Sequence, residues 1–197
     1  MTASINASTS SGVVVTSDTS GSLALQSNGT TKFTVASTGA YGQITSGTAL
    51  TTTSGTTAGF TGIPSWVKRI SVIFNGVGTS GSSLGLIQIG SGSYTTSGYS
   101  SMGASNATTT SSTQGFLLSY DWASTYRRYG IATLDLITGN TWVLSWQGGD
   151  NNSGGGSTRL YTGAGSLALS GALDRIQVTT VNGTDTFTAG TVNIQYE

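Results

Sequence analysis

The chain contains no cysteine and no histidine, one proline, and one glutamate, Glu197. Without cysteine there is no disulfide framework and no thiolate metal site, so packing and hydrogen bonds must hold the fold in any redox compartment. Without histidine the commonest general base and metal ligand are missing, and Ser-His-Asp chemistry is excluded. Charge is scarce too. Seven Lys and Arg balance seven Asp and Glu, 7% of the 197 residues against about 25% in ordinary soluble proteins. Seven scattered cations make no basic stripe, which argues against nucleic acid and against attachment to an anionic membrane. Apolar runs reach only a few residues, which excludes a membrane-spanning helix. The opening MTASINASTS lacks the basic and apolar regions of a signal peptide. These absences predict a protein made in a cytoplasm, with no membrane insertion, no nucleic-acid partner and no cofactor.

Serine and threonine instead fill about a third of the chain, alongside 30 glycines. No window carries a 3.6-residue apolar pattern of good helix formers, and the composition is that of strands and turns. The predicted class is all-β. Residues 1–12 are small, polar and aperiodic, an N-terminal arm that is either frayed or a docking peptide. Residues 13–48 hold short alternating segments at nine- or ten-residue spacing, which suits a repeat stacked against copies of itself. At their centre Leu23 and Leu25 face Phe33 and Val35 across Asn28-Gly29, a tight-hairpin dipeptide. With Val13 and Val15 these residues would contribute roughly 9–18 kcal/mol if buried. Ordering about 30 residues of backbone costs on the order of 30–60 kcal/mol. The element therefore needs partners, and Val13, Val15, Leu23, Leu25, Phe33 and Val35 are the predicted contacts of a homotrimeric shaft.

Residues 49–197 form the predicted second domain. After a connector with a first strand near 50–53, Ile63-Pro64-Ser65-Trp66 marks a bend. Strands are predicted at 67–77, 84–89, 115–119, 130–137, 142–147, 158–161, 166–169, 174–181 and 191–196. That number of short strands fits a β-sandwich or jelly roll. Period two selects a core of Ile70, Val72, Phe74, Leu84, Leu86 or Ile87, Ile89, Leu134, Leu136, Trp142, Leu144, Trp146, Ile176, Val178, Val192 and Ile194. Thr138-Gly139-Asn140 and Asn182-Gly183 are predicted hairpin turns. If successive strands alternate in direction, loops 75–83, 120–128 and 148–157 share the end where the chain comes in. Segment 90–113 then lies at the other end.

Few residues carry chemistry. The six aspartates are scattered through turns, where capping is their ordinary role. GGDNNSGGG (148–156) is neither a phosphate loop nor a dinucleotide fingerprint, offers Ca²⁺ one carboxylate, and is expected to be a mobile loop. SYDWASTYRRY (119–129) concentrates aromatic and charged side chains, which serve either subunit packing or recognition of a sugar or protein. Segment 90–113 sets Tyr94, Tyr99 and Asn106 among Ser, Thr and Gly, the composition either of a binding loop or of a disordered one. Tyr94, Tyr99, Asn106, Trp122, Tyr126 and Arg127 are the candidate receptor-binding residues, with no catalytic and no metal-binding residue.

SLALQSNGTTKFTV (22–35), IPSWVKRISVIFNGV (63–77) and GALDRIQVTTVNGTDTFTAGTVNIQYE (171–197) resemble tail-fibre proteins of tailed bacteriophages. The resemblance implies a homotrimeric virion fibre, a short β shaft carrying a β-sandwich head, released by host lysis. It also implies other virion proteins as partners of the N-terminal arm and a host surface receptor as partner of the head. Neutral, hydroxyl-rich loops suit a carbohydrate receptor. The alternative is a capsid decoration or cement protein. A third function, a polysaccharide-degrading enzyme, would have to work with aspartates alone.

Overall fold

Every regular element in the computed structural model is a strand among the residues it describes, 23–27, 29–35, 44–105, 108–120, 122–152 and 158–197. The chain divides between Gln43 and Ile44 into two compact units.

In the first unit, β1 (Leu23–Ser27) pairs antiparallel with β2 (Thr30–Val35). Leu23 lies opposite Val35 and Leu25 opposite Phe33, with a bulge after Leu25. Gly29 has φ +70°, a left-handed conformation that glycine adopts without a Cβ clash, which is why the turn closes there. Leu25 is 46% exposed. Val13 and Val15 lie outside the described residues.

The second unit begins at Ile44, so 44–48 belong with it rather than with the hairpin. Its strands are β3 (Thr45–Ser46), β4 (Leu50–Thr51), β5 (Ala58–Thr61), β6 (Arg69–Thr79), β7 (Gly85–Ser91), β8 (Ser93–Tyr94) and β9 (Ser100–Ser105). They continue with β10 (Thr108–Ser112), β11 (Phe116–Leu117), β12 (Tyr126–Thr138), β13 (Thr141–Asn152), β14 (Arg159–Ala168), β15 (Arg175–Thr180) and β16 (Phe187–Tyr196). A nine-stranded antiparallel sheet runs β10-β9-β14-β13-β12-β6-β16-β3, with β4 also on β16. A five-stranded sheet runs β11-β7-β15-β5, with β8 on β7.

The two sheets enclose one apolar layer, which makes the unit β-sandwich-like. Ile70, Val72, Phe74, Leu134, Leu144, Trp146, Val192 and Ile194 fill it from the large sheet, and Ile87, Ile89, Ile176 and Val178 from the small one. These are positions selected by period two, and Phe74 meets Trp146 edge-on at 5.0 Å. Leu84 and Leu136 pack partly buried against that layer, and both Leu86 and Ile87 are buried.

Three expectations are corrected. Ala58–Thr61 is a strand, β5, pairing with β15. This extra strand reverses the parity: β3 starts beside Tyr196 and Ile70, at the end that holds the turn 138–141. The second unit's chain thus starts at what we call the near end, while the 80–84 turn, residues 118–120 and 122–125 and residues 152 and 158 lie at the far end. Segment 90–113 is no single loop but contains β8, β9 and β10, with 94–100 at the near end and Ser105 and Thr108 at the far end. Asn182-Gly183 joins β15 to β16, which belong to different sheets, so it is a crossing between sheets and not a hairpin. The Asn182 side-chain oxygen caps that crossing by accepting the Thr184 and Asp185 N–H groups.

Candidate functional site

The far end is built on Arg128. Alternation along β12 turns Arg128 inward with Ala132 and Leu134, and alternation along β13 does the same for Asp150 with Trp146 and Leu144. Register then sets Arg128 opposite Asp150 and Asp150 opposite Arg159. The Arg128 side chain is 1% exposed, with Nη1 3.3 Å from Asp150 Oδ2. The Arg128 guanidinium carbon lies 4.3 Å from the Trp122 ring centroid, 4.9 Å from that of Tyr161 and 5.0 Å from that of Tyr126. A weakly hydrated planar cation among aromatic faces is the geometry in which cation–π attraction is largest. Asp150 accepts the Tyr161 hydroxyl and, at 3.0 Å, the Arg159 N–H. Burial lowers the pKa of Arg128, opposed by the neighbouring Asp150, and raises that of Tyr161, so the Tyr161 hydroxyl holds its proton through the physiological range. Asp150 sits in a β-strand with its carboxylate engaged, which over 148–152 corrects the mobile loop expected at 148–156; the rest of that segment lies outside the described residues.

Within the loop 119–129, Trp122 and Tyr126 pack on this base and Arg127 beside it. Trp122 is buried, its Nε1–H donating to Thr79 Oγ1 at 2.6 Å, so this candidate binding residue packs the interior instead. Arg127 Nη1 donates to the Ser124 and Tyr126 carbonyls at 3.1 Å and lies across Gly78, where a Cβ would clash with it. Arg127 and Tyr126 are half-buried, and Tyr120 is 42% exposed. The Arg159 guanidinium covers Tyr126 at 5.1 Å. Among the described residues, Tyr120, Tyr126, Arg127 and Arg159 form an aromatic and cationic rim at this end, with half-buried Asp185 on the neighbouring turn accepting the Ser83 N–H.

The other candidates do not join it. Tyr99 is 2% exposed. Its hydroxyl accepts the Ile89 N–H at 2.9 Å and lies 3.0 Å from the Thr95 carbonyl, which can take its proton. The Tyr99 ring meets Phe116 edge-on at 4.8 Å, and burial pushes its hydroxyl pKa up to about 12. Tyr99 is thus a core residue that ties the start of β9 to β7, not a ligand contact. Tyr94 is half-buried at the near end, 5.8 Å below the Arg175 guanidinium, with its hydroxyl over Gly59. Asn106 lies outside the described residues.

Arg128, Asp150, Arg159 and Tyr161 were missed as a group. The available signal was the period-two alternation itself: 142, 144, 146 continues to 148 and 150, and 134, 132 continues back to 130 and 128.

Each described aspartate has a partner: Asp135 with Arg69, Asp150 with Arg128, Asp174 with Arg175 and the Gly92 N–H, and Asp185 with Asn182 and the Ser83 N–H. No group of three His, Cys, Asp or Glu side chains occurs among the described residues. No described helix is long and apolar enough to cross a membrane. Comparison of the chain with protein-family models, with curated proteins and with solved structures returns no match.

Proposed function

We propose that the protein is a homotrimeric fibre protein of a tailed-bacteriophage virion. In this reading the N-terminal arm docks on other virion proteins, the β1–β2 hairpin is part of the trimeric shaft, and the sandwich is the head. The head attaches to a neutral glycan of the host surface through the far-end rim. The observation that carries the reading is the fixed aromatic rim itself. Tyr126 stands on a buried Arg128–Asp150–Tyr161 base, with Arg127 beside it and Tyr120 exposed at the same end, away from where the chain comes in. Aromatic faces with polar tips bind sugar rings by stacking and hydrogen bonding together, and a pre-ordered rim loses little entropy on binding. The exposed Leu25 of the hairpin supports association of identical chains there. The engagement of every described carboxylate supports a binding role over a hydrolytic one.

Immobilised neutral polysaccharide from the host surface tests the reading. The purified protein should be retained, and Tyr120→Ala with Arg127→Ala should weaken retention about tenfold or more, in keeping with aromatic and Arg hot spots. A protein that neither binds host cells nor competes with infection overturns receptor recognition. Labelling on the capsid rather than the tail would assign the protein to the decoration class. Turnover of polysaccharide abolished by a single Asp→Asn change would assign it to the hydrolases.

A further inference from the structure

The outer face of the nine-stranded sheet is where side chains leave the core, and its composition is unusual for a solvated surface. One cross-strand row sets Ile131, Gln147, Thr162 and Ala104 side by side on β12, β13, β14 and β9. The next sets Thr133, Ser145, Ala164 and Met102 in the same way. Neither row contains a charge. Among the described residues charge enters at the margins, where Asp135 is bound to Arg69 at 2.7 Å at the near end and Arg127 lies across Gly78 at the far end. Solvated antiparallel faces ordinarily alternate polar residues against the core. Here Leu160 is 81% exposed and Met102 59%, with Ile131, Tyr129 and Val143 exposed beside them. Beside Leu160 lies a depression of about 720 Å³ floored by Ala104, Gln147 and Thr162, and Gln147 also borders a second of about 370 Å³ next to Ile131.

We infer that this face is the self-association surface of the sandwich unit, and that its occupant is a second copy of the same chain. The inference rests on the reading of the protein as a homo-oligomer and names the surface that reading leaves open. Three features select a copy over other occupants. The two central rows hold no charge and no aromatic side chain, whereas a sugar ring needs an aromatic platform, and the one exposed tyrosine of the face, Tyr129, lies at its far-end margin. With the row of Tyr129 and the marginal row of Asp135, and with β6 and β10 on either side, the face spans four rows and six strands, about 29 Å by 27 Å, on the order of the 800 Å² that each partner contributes to a standard interface. Depletion of charge with exposed Met and Tyr is the composition of an interface core.

Sedimentation velocity of the full chain tests this, with far-UV circular dichroism as the folding control. Leu160→Glu and Ile131→Glu change exposed side chains and should leave the fold intact while weakening association at least a hundredfold. Association of the unaltered chain should be insensitive to salt. Since the chain has no cysteine, Ala164→Cys supplies a single thiol, which maleimide should label slowly in the assembled protein and rapidly after dilution. If the unaltered chain is a monomer at 100 µM, a concentration of about the usual weak-interaction range, both the homo-oligomer reading and this surface fail. If it is an oligomer that both glutamate variants leave unchanged, the surface alone is wrong. Binding of a neutral glucan that Leu160→Glu abolishes, with sedimentation unaltered, would assign the face to glycan and overturn the inference.

Discussion

Arg128 faces Asp150 across β12 and β13, and Arg69 faces Asp135 across β6 and β12, so one sheet carries the same cross-strand pair twice. The first pair points inward at the far end, with side chains 1% and 0% exposed. The second points outward at the near end, 54% and 47% exposed, with Glu197 as a third member 3.1 Å from Arg69. The inward pair has no water to replace a lost partner, so it is bound into a network with Tyr161, Trp122 and Tyr126. The outward pair is screened by solvent and salt. The lesson is that strand parity, not residue type, decides whether an ion pair organises a region or decorates it.

The largest expected effect breaks the inward pair. Asp150→Ala should cost about 3–5 kcal/mol by leaving a buried cation without its carboxylate. Thermal denaturation would read this as a large fall in Tm. Replacing both members, Arg128→Met with Asp150→Leu, should recover much of the loss, because an apolar pair has no charge to desolvate. A double variant as unstable as the single one would show that the aromatic packing, not the pairing, is what Arg128 supplies.

An intermediate effect is expected at Tyr99, which is as buried as Arg128 but neutral. Tyr99→Phe should cost about 1–3 kcal/mol by orphaning the Ile89 N–H. Its pH signature has a definite sign. The folded pKa, about 12, exceeds the unfolded value of 10.0, so the stability this group contributes is complete below pH 10 and is lost as pH rises through 12. Tyr161 is shifted in the same direction. Tm should fall over that interval, less steeply in Tyr99→Phe, with tyrosinate absorbance tracking the fall.

The smallest effect belongs to the outward pair. Asp135→Asn should leave Tm unchanged within error, and added salt should not alter the stability of the parent chain. Between pH 5 and 9 Tm should be flat, because the chain has no histidine or cysteine to titrate there.

What was legible in the sequence follows the same logic. Ile70, Val72 and Phe74, or Trp142, Leu144 and Trp146, announce their strands because each inward position is large and apolar. β9 and β10 do not, since the inward positions of β9 are Ser101, Gly103 and Ser105. The reason is close approach: a Cβ at Gly103 would stand 3.0 Å from the Ser119 carbonyl, so β11 and the segment after it leave no room for a large side chain. β5 escaped because Phe60 is its one large residue in a stretch of Thr, Gly and Ala, and that omission alone reversed the ends. The buried Arg128 cluster was hidden by chemistry rather than pattern, since Gly148 and Asp150 occupy core-facing positions where apolar residues are the expected sign. Trp122 and Tyr99 read as ligand contacts in the sequence because aromatic residues in polar stretches look alike whether they face solvent or the interior.

The placement of Ile44 has a mechanical consequence. β3 and β4 leave the near end paired along β16, and β16 is paired along β6 toward the far end. A pull between residue 44 and anything held by the far-end loops runs along the strand axes, perpendicular to the cross-strand hydrogen bonds. Those bonds would be sheared together rather than peeled open one after another, so the domain is oriented to bear tension in the direction in which a β-sheet resists it best.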